Sequence, residues 1–542
     1  MITTRKYDDM QAATDYRQHT RRDARLRVNL ELGLFVTLLG LILFLRITNI
    51  LYNTLFVDEA IYVTGGRDLL AGVTDRHILA WFGGSFIYPV LAALAANLAG
   101  DAGIRLVSAL LTTLAAIFVY LAARRLFNRQ VALWGILIFG LSGGSISLGQ
   151  LAVYDALMLP FLAAALLCLI TATQLDRRAA WAYLALGALA FSAAALAKYT
   201  AIVYLPALGL TAAALYAMQR RWRGIVQLGI FFVIPVIIIL GAYIFAYFQD
   251  VIQVFTGQQG FQAAPPWAVA QNISAEIGLA VLMALAGLFV VIFSAWRGST
   301  SGSATVVTTL SDFLRPRHKR RLVLVTAAAL ILFASYLSLP LYQTLTSNIR
   351  SVWKAAYASL IFLAPLAGYA LARIIERIQR LQRTRLAAAA LATLLIVSWI
   401  GYDLDRNWGF QHSWPNASGA IDYLRQHGLS TDSRVLAEAG AVYEYYFYSD
   451  FGLDGRRIWA DTWFLDYKGQ QGISAMTAAI ADHYFDFVVL DDNYTPDVNP
   501  QVEAALQQAG YQVDYRDVQP ITTGHVSVVR VYVRPQDREA GL

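Results

Sequence analysis

The chain has 542 residues, of which 57% are hydrophobic and only 15% are charged, and its formal net charge is +7. A soluble domain carries about 25% charged residues, so this composition excludes an ordinary soluble protein and indicates an integral membrane protein. The positive charge is distributed as membrane topology requires and gives no reason to expect a nucleic-acid partner. The single cysteine, Cys168, lies in an apolar run and cannot form an intramolecular disulfide.

Apolar segments follow a polar N-terminal segment, residues 1–28, which does not resemble a cleavable signal peptide. Eleven of them approach the length of about 20 residues that crosses a bilayer. These predicted spans are 29–49, 104–122, 131–148, 152–172, 181–197, 199–217, 224–246, 276–296, 322–341, 354–372 and 386–402. The stretch 88–99 is too short to span and predicts an interfacial helix.

The Lys and Arg residues set the predicted orientation. They concentrate in residues 1–28 and in every second connection, which makes these segments cytoplasmic. We therefore expect an integral protein of the cell (inner) membrane with a cytoplasmic N-terminus. A transmembrane domain covers 29–402, with a first outer loop at 50–103, and the tail 403–542 is extracytoplasmic.

The tail has a different composition and predicts an α/β domain. "SRVLAEAG", "FDFVVLDD", "YQVDYRDV" and "VSVVRVYVRP" are typical of strands, and "NASGAIDYLRQHG" and "PQVEAALQQAG" are typical of helices that end at glycine. Their alternation predicts a small, partly parallel sheet. No glycine-rich phosphate-binding loop follows a strand, so we expect no nucleotide site there.

Ionisable residues are few in the spans, where each is costly, and the exceptions gather at the predicted outer ends of the helices. The candidates are Asp58, Glu59, Arg67, Arg76 and His77 in the first loop, and Asp155, Lys198, Arg350 and Lys354 at helix ends. Taken singly, the first two acids could be solvated, and Asp155 could cap a helix. Lys198, Arg350 and Lys354 could extend to lipid headgroups, which is the favoured interpretation for Lys354. A divalent cation on Asp58, Glu59 and His77 is a minority interpretation.

Taken together, carboxylates and cations at one membrane face suit a lipid-linked phosphate substrate. Cations neutralise a phosphate, and Arg can do so with two hydrogen bonds. A carboxylate can take a proton from an attacking hydroxyl. A transport relay would instead place its charges near the middle of the membrane.

The first-loop stretch "VDEAIYVTGGRDLLAG" resembles the first outer loop of GT-C glycosyltransferases, and more narrowly that of the protein O-mannosyltransferase and aminoarabinose-transferase (lipid A) group. That group shows an acidic pair, an aromatic residue soon after it (here Tyr62), and a short helix ending in "LLAG". The stretch from Tyr88 to Ser142 resembles its second and third spans. "YDALMLPF" resembles its second acidic site and "LAKYTAIVYLP" its lysine-bearing outer turn.

This resemblance implies a polytopic α-helical GT-C-like membrane protein with about eleven spans. It implies a polyprenyl-phosphate sugar donor, and transfer with inversion to a lipid, glycan or protein acceptor on the outer membrane face. Asp58 would then be the base, with Glu59 in support. Asp155 would orient a cation or the sugar, and Lys198 and Arg350 would hold the phosphate. Tyr62, Arg67, Arg76, His77 and Lys354 are further candidates for substrate binding.

The chain departs from the aminoarabinose branch at "LAWFGGSFIYP", residues 79–89, which lacks that branch's lysine and double proline. The tail does not resemble the β-trefoil domain of eukaryotic protein mannosyltransferases. Two other functions stay open from the sequence: a lipid or sugar transporter or flippase, and a non-catalytic membrane receptor.

Overall fold

A computed structural model describes residues 29–73, 79, 83–257, 264–300, 318–346, 352–380, 385–462, 465–522 and 526–535. A helical bundle occupies the first three-quarters of the chain, and a small sheet domain follows. The bundle helices are α1 (Asn29–Ile47), α2 (Val57–Leu70), α3 (Ile87–Leu126), α4 (Arg129–Leu141), α5 (Gly143–Gln150), α6 (Tyr154–Gln174), α7 (Arg177–Ala197), α8 (Leu205–Met218), α9 (Trp222–Leu228), α10 (Ile234–Ala246), α11 (Phe248–Gly257), α12 (Pro266–Thr300), α13 (His318–Ala334), α14 (Ser338–Leu345), α15 (Val352–Gln379) and α16 (Arg385–Gln411).

Nine helical segments among the described residues are long and apolar enough to cross a membrane, and the bent pair α4–α5 makes a tenth. The eleventh predicted span, 386–402, lies within α16, which continues past residue 403 to Gln411. The prediction of a polytopic helical membrane protein is thus confirmed. The expected short interfacial helix is present as the first part of α3. It ends at Ala99 and Gly100, where Gly100 adopts φ +58°, a left-handed conformation that favours glycine.

The predicted third span is bent rather than straight. The axes of α4 and α5 differ by 60°, with Ser142 in an extended conformation between them. Two glycines follow, and each makes room for a neighbour. A Cβ atom on Gly143 would lie 2.4 Å from the carbonyl oxygen of Asp403, and one on Gly144 would overlap the Tyr357 ring. The bend therefore depends on the close approach of α15 and α16.

One end of the bundle carries the polar side chains. Asp155 lies in the first turn of α6, Lys198 directly follows α7, and Lys354 lies in the first turn of α15. Because α6 and α15 leave this end while α7 arrives at it, their three charged residues reach the same membrane face. We call this face the site end.

The tail contains helices and strands in the order α17 (Ser418–Gln426), β1 (Val435–Ala437), α18 (Gly440–Phe451), β2 (Trp459–Asp461), β3 (Asp466–Tyr467), β4 (Gln470–Gln471), α19 (Gly472–Ala481), β5 (Phe487–Leu490), α20 (Asn499–Gln508), β6 (Gln512–Pro520) and β7 (Val526–Val533). Five strands form one sheet in the order β2-β1-β5-β7-β6. The pairs β2–β1 and β1–β5 are parallel, and β5–β7 and β6–β7 are antiparallel. This confirms the predicted partly parallel sheet. Helices α18 and α19 were not predicted.

Helix α18 packs against α2 of the first loop. The hydroxyls of Tyr445 and Tyr446 each donate to the Asp101 carboxylate, at 2.7 and 2.6 Å. The tail therefore lies directly on the site end of the bundle.

Candidate active site

The two adjacent acids of the first loop occupy the first turn of α2. A carboxylate is favourable there because the free N–H groups and the helix dipole both attract negative charge. The Glu59 Oε2 atom accepts a hydrogen bond from the Phe56 backbone N–H at 2.9 Å, which closes the start of the helix. Asp58, one residue earlier on the helix, faces a different environment.

Glu59 forms a buried ion pair with Arg105 of α3. The two guanidinium contacts measure 3.0 Å to Oε1 and 2.8 Å to Oε2, and both side chains are 0% exposed. Glu59 Oε1 also accepts from the backbone N–H of Ala152, 2.8 Å away. Both carboxylate oxygens are therefore occupied, and Glu59 ties α2 to α3 and to the segment that leads into α6.

Arg105 uses its remaining N–H groups on the first loop. It donates to the carbonyl oxygens of Ile50, Asn53 and Thr54 at 3.0, 3.1 and 3.3 Å. A buried ion pair with all its hydrogen bonds made is tolerated, but loss of one partner leaves a bare buried charge. The Glu59–Arg105 pair thus fixes the position of the loop that carries Asp58.

Asp58 pairs with Lys354, whose ammonium nitrogen lies 2.7 Å from Oδ2. The Lys354 side chain is 4% exposed and the Asp58 side chain is 22% exposed. A lysine that extended to lipid headgroups would be exposed at its tip, so the interpretation favoured from the sequence for Lys354 is wrong. Lys354 is instead a buried cation that faces the first-loop acid.

Asp155 pairs with Lys198 in the same way, with 2.5 Å between Oδ1 and the ammonium nitrogen. Both side chains are buried, and the Tyr154 ring lies 4.9 Å from the ammonium group. The other carboxylate oxygen, Oδ2, has no hydrogen-bond partner among the described residues. A buried carboxylate oxygen without a donor is rare in folded proteins, so it marks a place where a ligand's hydroxyl could bind.

Two tyrosines connect the two ion pairs. The rings of Tyr62 and Tyr154 lie 5.0 Å apart, and the two side chains are hydrogen-bonded. Burial raises the pKa of Tyr62 well above its usual value, and the charges of Asp58 and Asp155 add to this. Because both carboxylates act on one tyrosine, Asp58, Asp155, Lys198, Lys354 and Tyr62 share one site.

The tail contributes a tyrosine to this site. Tyr494 hydrogen-bonds to the backbone of Val57, and its ring centroid lies 6.2 Å from that of Phe56. Burial raises the pKa of Tyr494 well above its usual value, and nearby Asp491 and Asp58 raise it further. The C-terminal domain therefore reaches the first turn of α2, next to Asp58.

The other predicted residues lie elsewhere or outside the described residues. Arg67 lies nine residues after Asp58, about 13 Å along the helix. Its guanidinium stacks on Tyr448 and Tyr445, 3.9 and 4.9 Å from the ring centroids, so it contacts the tail and not the ion pairs. Arg76, His77 and Arg350 are outside the described residues.

A divalent cation finds little free coordination here. No group of three or more His, Cys, Asp or Glu side chains suited to a metal occurs within the described part of the chain. The sequence offered Asp58, Glu59 and His77 as a less favoured cation site, and His77 lies outside the described residues. Glu59 already accepts four hydrogen bonds, which leaves it a poor metal ligand.

Three residues of the site were not selected from the sequence: Arg105, Tyr154 and Tyr494. Arg105 stands at the edge of a predicted span, where an arginine is costly unless paired, so its position was a usable signal. Tyr154 directly precedes Asp155 but looks like an ordinary interfacial aromatic. The chain has 29 tyrosines, and nothing in the sequence distinguishes Tyr494 from the others.

Comparisons with known proteins agree with this architecture. Residues 84–247 match the family of dolichyl-phosphate-mannose-protein mannosyltransferases. A search of curated protein sequences finds no match.

Solved structures match over most of the chain. ArnT from Cupriavidus metallidurans in the apo state is 14% identical, with a TM-score of 0.56, and the match covers 94% of this chain and 98% of ArnT. The same protein bound to undecaprenyl phosphate gives a TM-score of 0.50 at 14% identity, with 92% and 98% covered. The archaeal oligosaccharyltransferase AglB from Archaeoglobus fulgidus, in complex with an inhibitory peptide and a dolichol-phosphate, gives 0.52 at 12% identity, with 94% and 74% covered.

The resemblance to GT-C enzymes seen in the sequence is therefore confirmed at the level of the fold. The matches to ArnT and AglB each cover 94% of this chain. This chain is an integral membrane protein with the GT-C glycosyltransferase fold.

Proposed function

We propose that this chain is a membrane glycosyltransferase that takes a sugar from a polyprenyl-phosphate donor and transfers it to an acceptor hydroxyl. The observation that carries the proposal is the pair of buried lysine–carboxylate contacts, Lys198–Asp155 and Lys354–Asp58, at one end of the bundle. Such a site holds two cations for a phosphate and two carboxylates for a sugar and a proton. The match to a mannosyltransferase family over residues 84–247 supports the same reaction class.

The lysines would bind the phosphate of the donor. The relatives ArnT and AglB were solved with undecaprenyl phosphate and a dolichol-phosphate, respectively, so this fold accommodates a polyprenyl phosphate. A phosphate that enters between Lys198 and Lys354 gives each ammonium group a new anionic partner. Arg350, whose sequence position adjoins α15, is a further candidate for this role.

Asp58 would then act as the base. In the absence of donor its carboxylate is engaged by the Lys354 ammonium group at 2.7 Å. When the donor phosphate takes over Lys354, Asp58 is released from that cation and can accept the proton of the acceptor hydroxyl. Donor binding would thereby switch on the base.

The bonds balance without any further reactant. The acceptor oxygen forms a bond to the anomeric carbon, and the bond from that carbon to the phosphate oxygen breaks. The acceptor proton goes to Asp58, and the electron pair leaves with polyprenyl phosphate, whose charge the lysines stabilise. Attack opposite to the leaving phosphate inverts the anomeric configuration.

Asp155 and Glu59 would position the reactants. The free Oδ2 atom of Asp155 is suited to a sugar hydroxyl, and Tyr62 lies between it and Asp58. Glu59 holds the loop through Arg105 and does not itself contact substrate. Arg76 and His77 of the first loop remain candidates for substrate binding.

The site end would face away from the cytoplasm. The Lys and Arg residues of the connections favour the other end as cytoplasmic, which puts the tail and the site outside. A lipid, glycan or protein hydroxyl of the cell envelope would then reach the site between α2 and the tail.

The test is a transfer assay on the purified full-length chain in proteoliposomes. A panel of polyprenyl-phosphate sugars, labelled in the sugar, is incubated with a membrane extract that supplies acceptors. We expect the label to move to an acceptor with inverted anomeric configuration, and the double variant Lys198→Gln/Lys354→Gln to abolish this.

Two outcomes would overturn the proposal. Label that crosses the bilayer with its phosphate bond intact would indicate a flippase. Transfer with the original anomeric configuration would contradict a direct attack assisted by Asp58.

A further inference from the structure

A second polar site lies at the opposite end of the bundle, where α7 begins and α8 ends. Helix α7 runs from Arg177 to Ala197 and delivers Lys198 to the site end, so its start lies about 30 Å away. A cavity of about 530 Å³ opens there between α7, α8 and α9. No step of the proposed transfer reaction uses it.

Arginines dominate the lining of this cavity. Arg177, Arg220, Arg221 and Arg223 line it together with one acid, Asp176. None of the ion pairs recorded among the described residues involves any of these arginines. With four arginines and one acid in its lining, the cavity therefore carries an excess of positive charge.

The cavity has a fixed frame. The Arg221 Nη1 atom donates to the carbonyl oxygens of Leu175 and Thr173, at 2.8 and 3.4 Å, and so ties the end of α6 to the start of α9. Arg220 adopts φ +58° in the tight turn between α8 and α9. These contacts fix the Arg221 side chain and the turn that carries Arg220, Arg221 and Arg223.

A buried hydroxyl also lacks a partner at this cavity. Tyr216 lines the cavity and is only 2% exposed, and its hydroxyl has no hydrogen-bond partner within the described parts of the chain. Its ring packs on Gly224, where a Cβ atom would come within 2.3 Å. A buried phenol without an acceptor is costly unless a ligand or a water molecule supplies one.

An apolar strip leads away from the arginines along α9, the π-helical segment Gly229–Val233 and α10. Trp222 at the cavity is 59% exposed, and Val226, Ile230 and Ile234 follow at intervals of four residues, each about half exposed or more. Residues four apart share one face of a helix, so these side chains form a continuous apolar surface. An exposed tryptophan above such a strip is typical of the interface between headgroups and hydrocarbon.

We propose that this cavity binds the phosphate headgroup of an anionic phospholipid from the adjacent leaflet. Guanidinium groups match phosphate oxygens with paired hydrogen bonds, and the Tyr216 hydroxyl supplies one more donor. The apolar strip below Trp222 accommodates the acyl chains of the lipid. A free phosphate has no acyl chains and would leave this strip uncovered. On the predicted topology this leaflet is the cytoplasmic one, where anionic lipids attract basic groups.

The test uses full-length protein in a neutral detergent, titrated with dioleoylphosphatidylglycerol and followed by native mass spectrometry. We expect one tightly retained molecule of this lipid and much weaker binding of dioleoylphosphatidylcholine. The triple variant Arg177→Gln/Arg220→Gln/Arg223→Gln should weaken this binding roughly 100-fold, since each arginine near an anionic surface contributes roughly a fivefold factor. Arg221 is kept because it holds the frame.

A matched control removes three exposed arginines from the same end of the bundle but outside the cavity: Arg125→Gln/Arg178→Gln/Arg377→Gln. The control should change the affinity less than about threefold. Tyr216→Phe, which removes only the hydroxyl, should weaken binding about fivefold and leave the thermal unfolding temperature unchanged.

Equal losses in both triple variants would overturn the proposal, because they would indicate general charge attraction. Retention of full affinity in the cavity variant would overturn it as well. If inorganic phosphate binds as tightly as the lipid and displaces it, the ligand is a soluble phosphate and the assignment to a lipid is wrong.

Discussion

Asp58 and Glu59 are neighbours in sequence and differ completely in their surroundings. Glu59 is fully buried and accepts four hydrogen bonds, from Arg105, Phe56 and Ala152. Asp58 is partly exposed and pairs with Lys354. A buried carboxylate whose oxygens are all occupied holds a structure together, whereas a partly exposed one paired with a lysine can exchange that cation for another partner. The same contrast recurs between Glu438 in the tail and Asp155 in the bundle.

Glu438 is the tail's counterpart of Glu59. Its buried carboxylate accepts from the backbone N–H groups of Asp491, Asp492, Tyr494 and Thr495, at 2.6, 2.8, 3.0 and 2.8 Å. This places the loop after β5, which carries Tyr494 to the site. Two saturated carboxylates therefore position the loops on either side of Asp58.

The largest effect should come from Asp58→Asn. The amide keeps the shape but accepts no proton, so the transfer rate should fall by roughly 10²–10⁴ in the labelled-donor assay. Because the Asp58 side chain is partly exposed, the thermal unfolding temperature should change little. A rate within tenfold of wild type would remove Asp58 as the base.

Glu59→Gln should show the opposite pattern, with its main effect on the stability of the protein and not on the chemical step. It leaves Arg105 buried without a counter-charge, which should cost about 3–5 kcal/mol of the free energy of unfolding, measured by denaturant titration in detergent. The double variant Glu59→Gln/Arg105→Gln should recover part of the loss, since no bare charge remains. Equal stability of Glu59→Gln and wild type would contradict a structural role for Glu59.

Lys198→Gln should act on donor binding. Loss of a charged contact to the phosphate should raise the donor KM by roughly 10- to 100-fold, with a smaller change in kcat. Lys198→Arg keeps the charge and should lose less. If kcat falls while the donor KM stays constant, Lys198 does not hold the donor in its ground state.

The pH dependence of stability should reveal the proton that Asp491 holds beside its partner Glu438. Burial, and then the charge of Glu438, raises the pKa of Asp491 well above its usual value, so the folded tail keeps this proton where the unfolded chain has lost it. The contribution of Asp491 to stability should therefore be complete below about pH 4 and fall as pH rises toward the raised pKa, by up to about 1.4 kcal/mol per pH unit in that window.

Asp491→Asn cannot ionise and should flatten this dependence. The measurement is the opening free energy of β5 amides by hydrogen exchange, compared between pH 5 and pH 8 in the full-length chain. An unchanged slope in the variant would assign the titration to another group.

The sequence was sufficient for the bundle and for the gathering of the charges at one end of it. Long apolar runs have few alternatives to helices in a bilayer, and the position of each charge along its run determines the end at which it lies. Four of the five strands of the tail sheet were also predicted, whereas β2, Trp459–Asp461, was not.

The pairing of these charges was not predictable. Asp58 and Lys354 are 296 residues apart, and only the packing of α15 against the first loop brings them together. Lys354 therefore looked like a headgroup-contacting lysine. The bend at Ser142 was not predicted. The glycines at 143 and 144 make room for Asp403 and Tyr357, which lie far away in the sequence.

The contact between the tail and the first loop has a consequence for protein engineering. The Trp414 indole donates to the carbonyl oxygen of Thr54 at 3.0 Å, and the Ala417 N–H donates to the Thr54 hydroxyl at 3.1 Å. The Leu55 N–H donates to the Tyr446 hydroxyl at 3.0 Å. A chimera that receives only a relative's tail would lose these contacts beside Asp58. Acceptor preference should therefore transfer between homologues only when the tail and the loop 50–73 are taken together from the same protein.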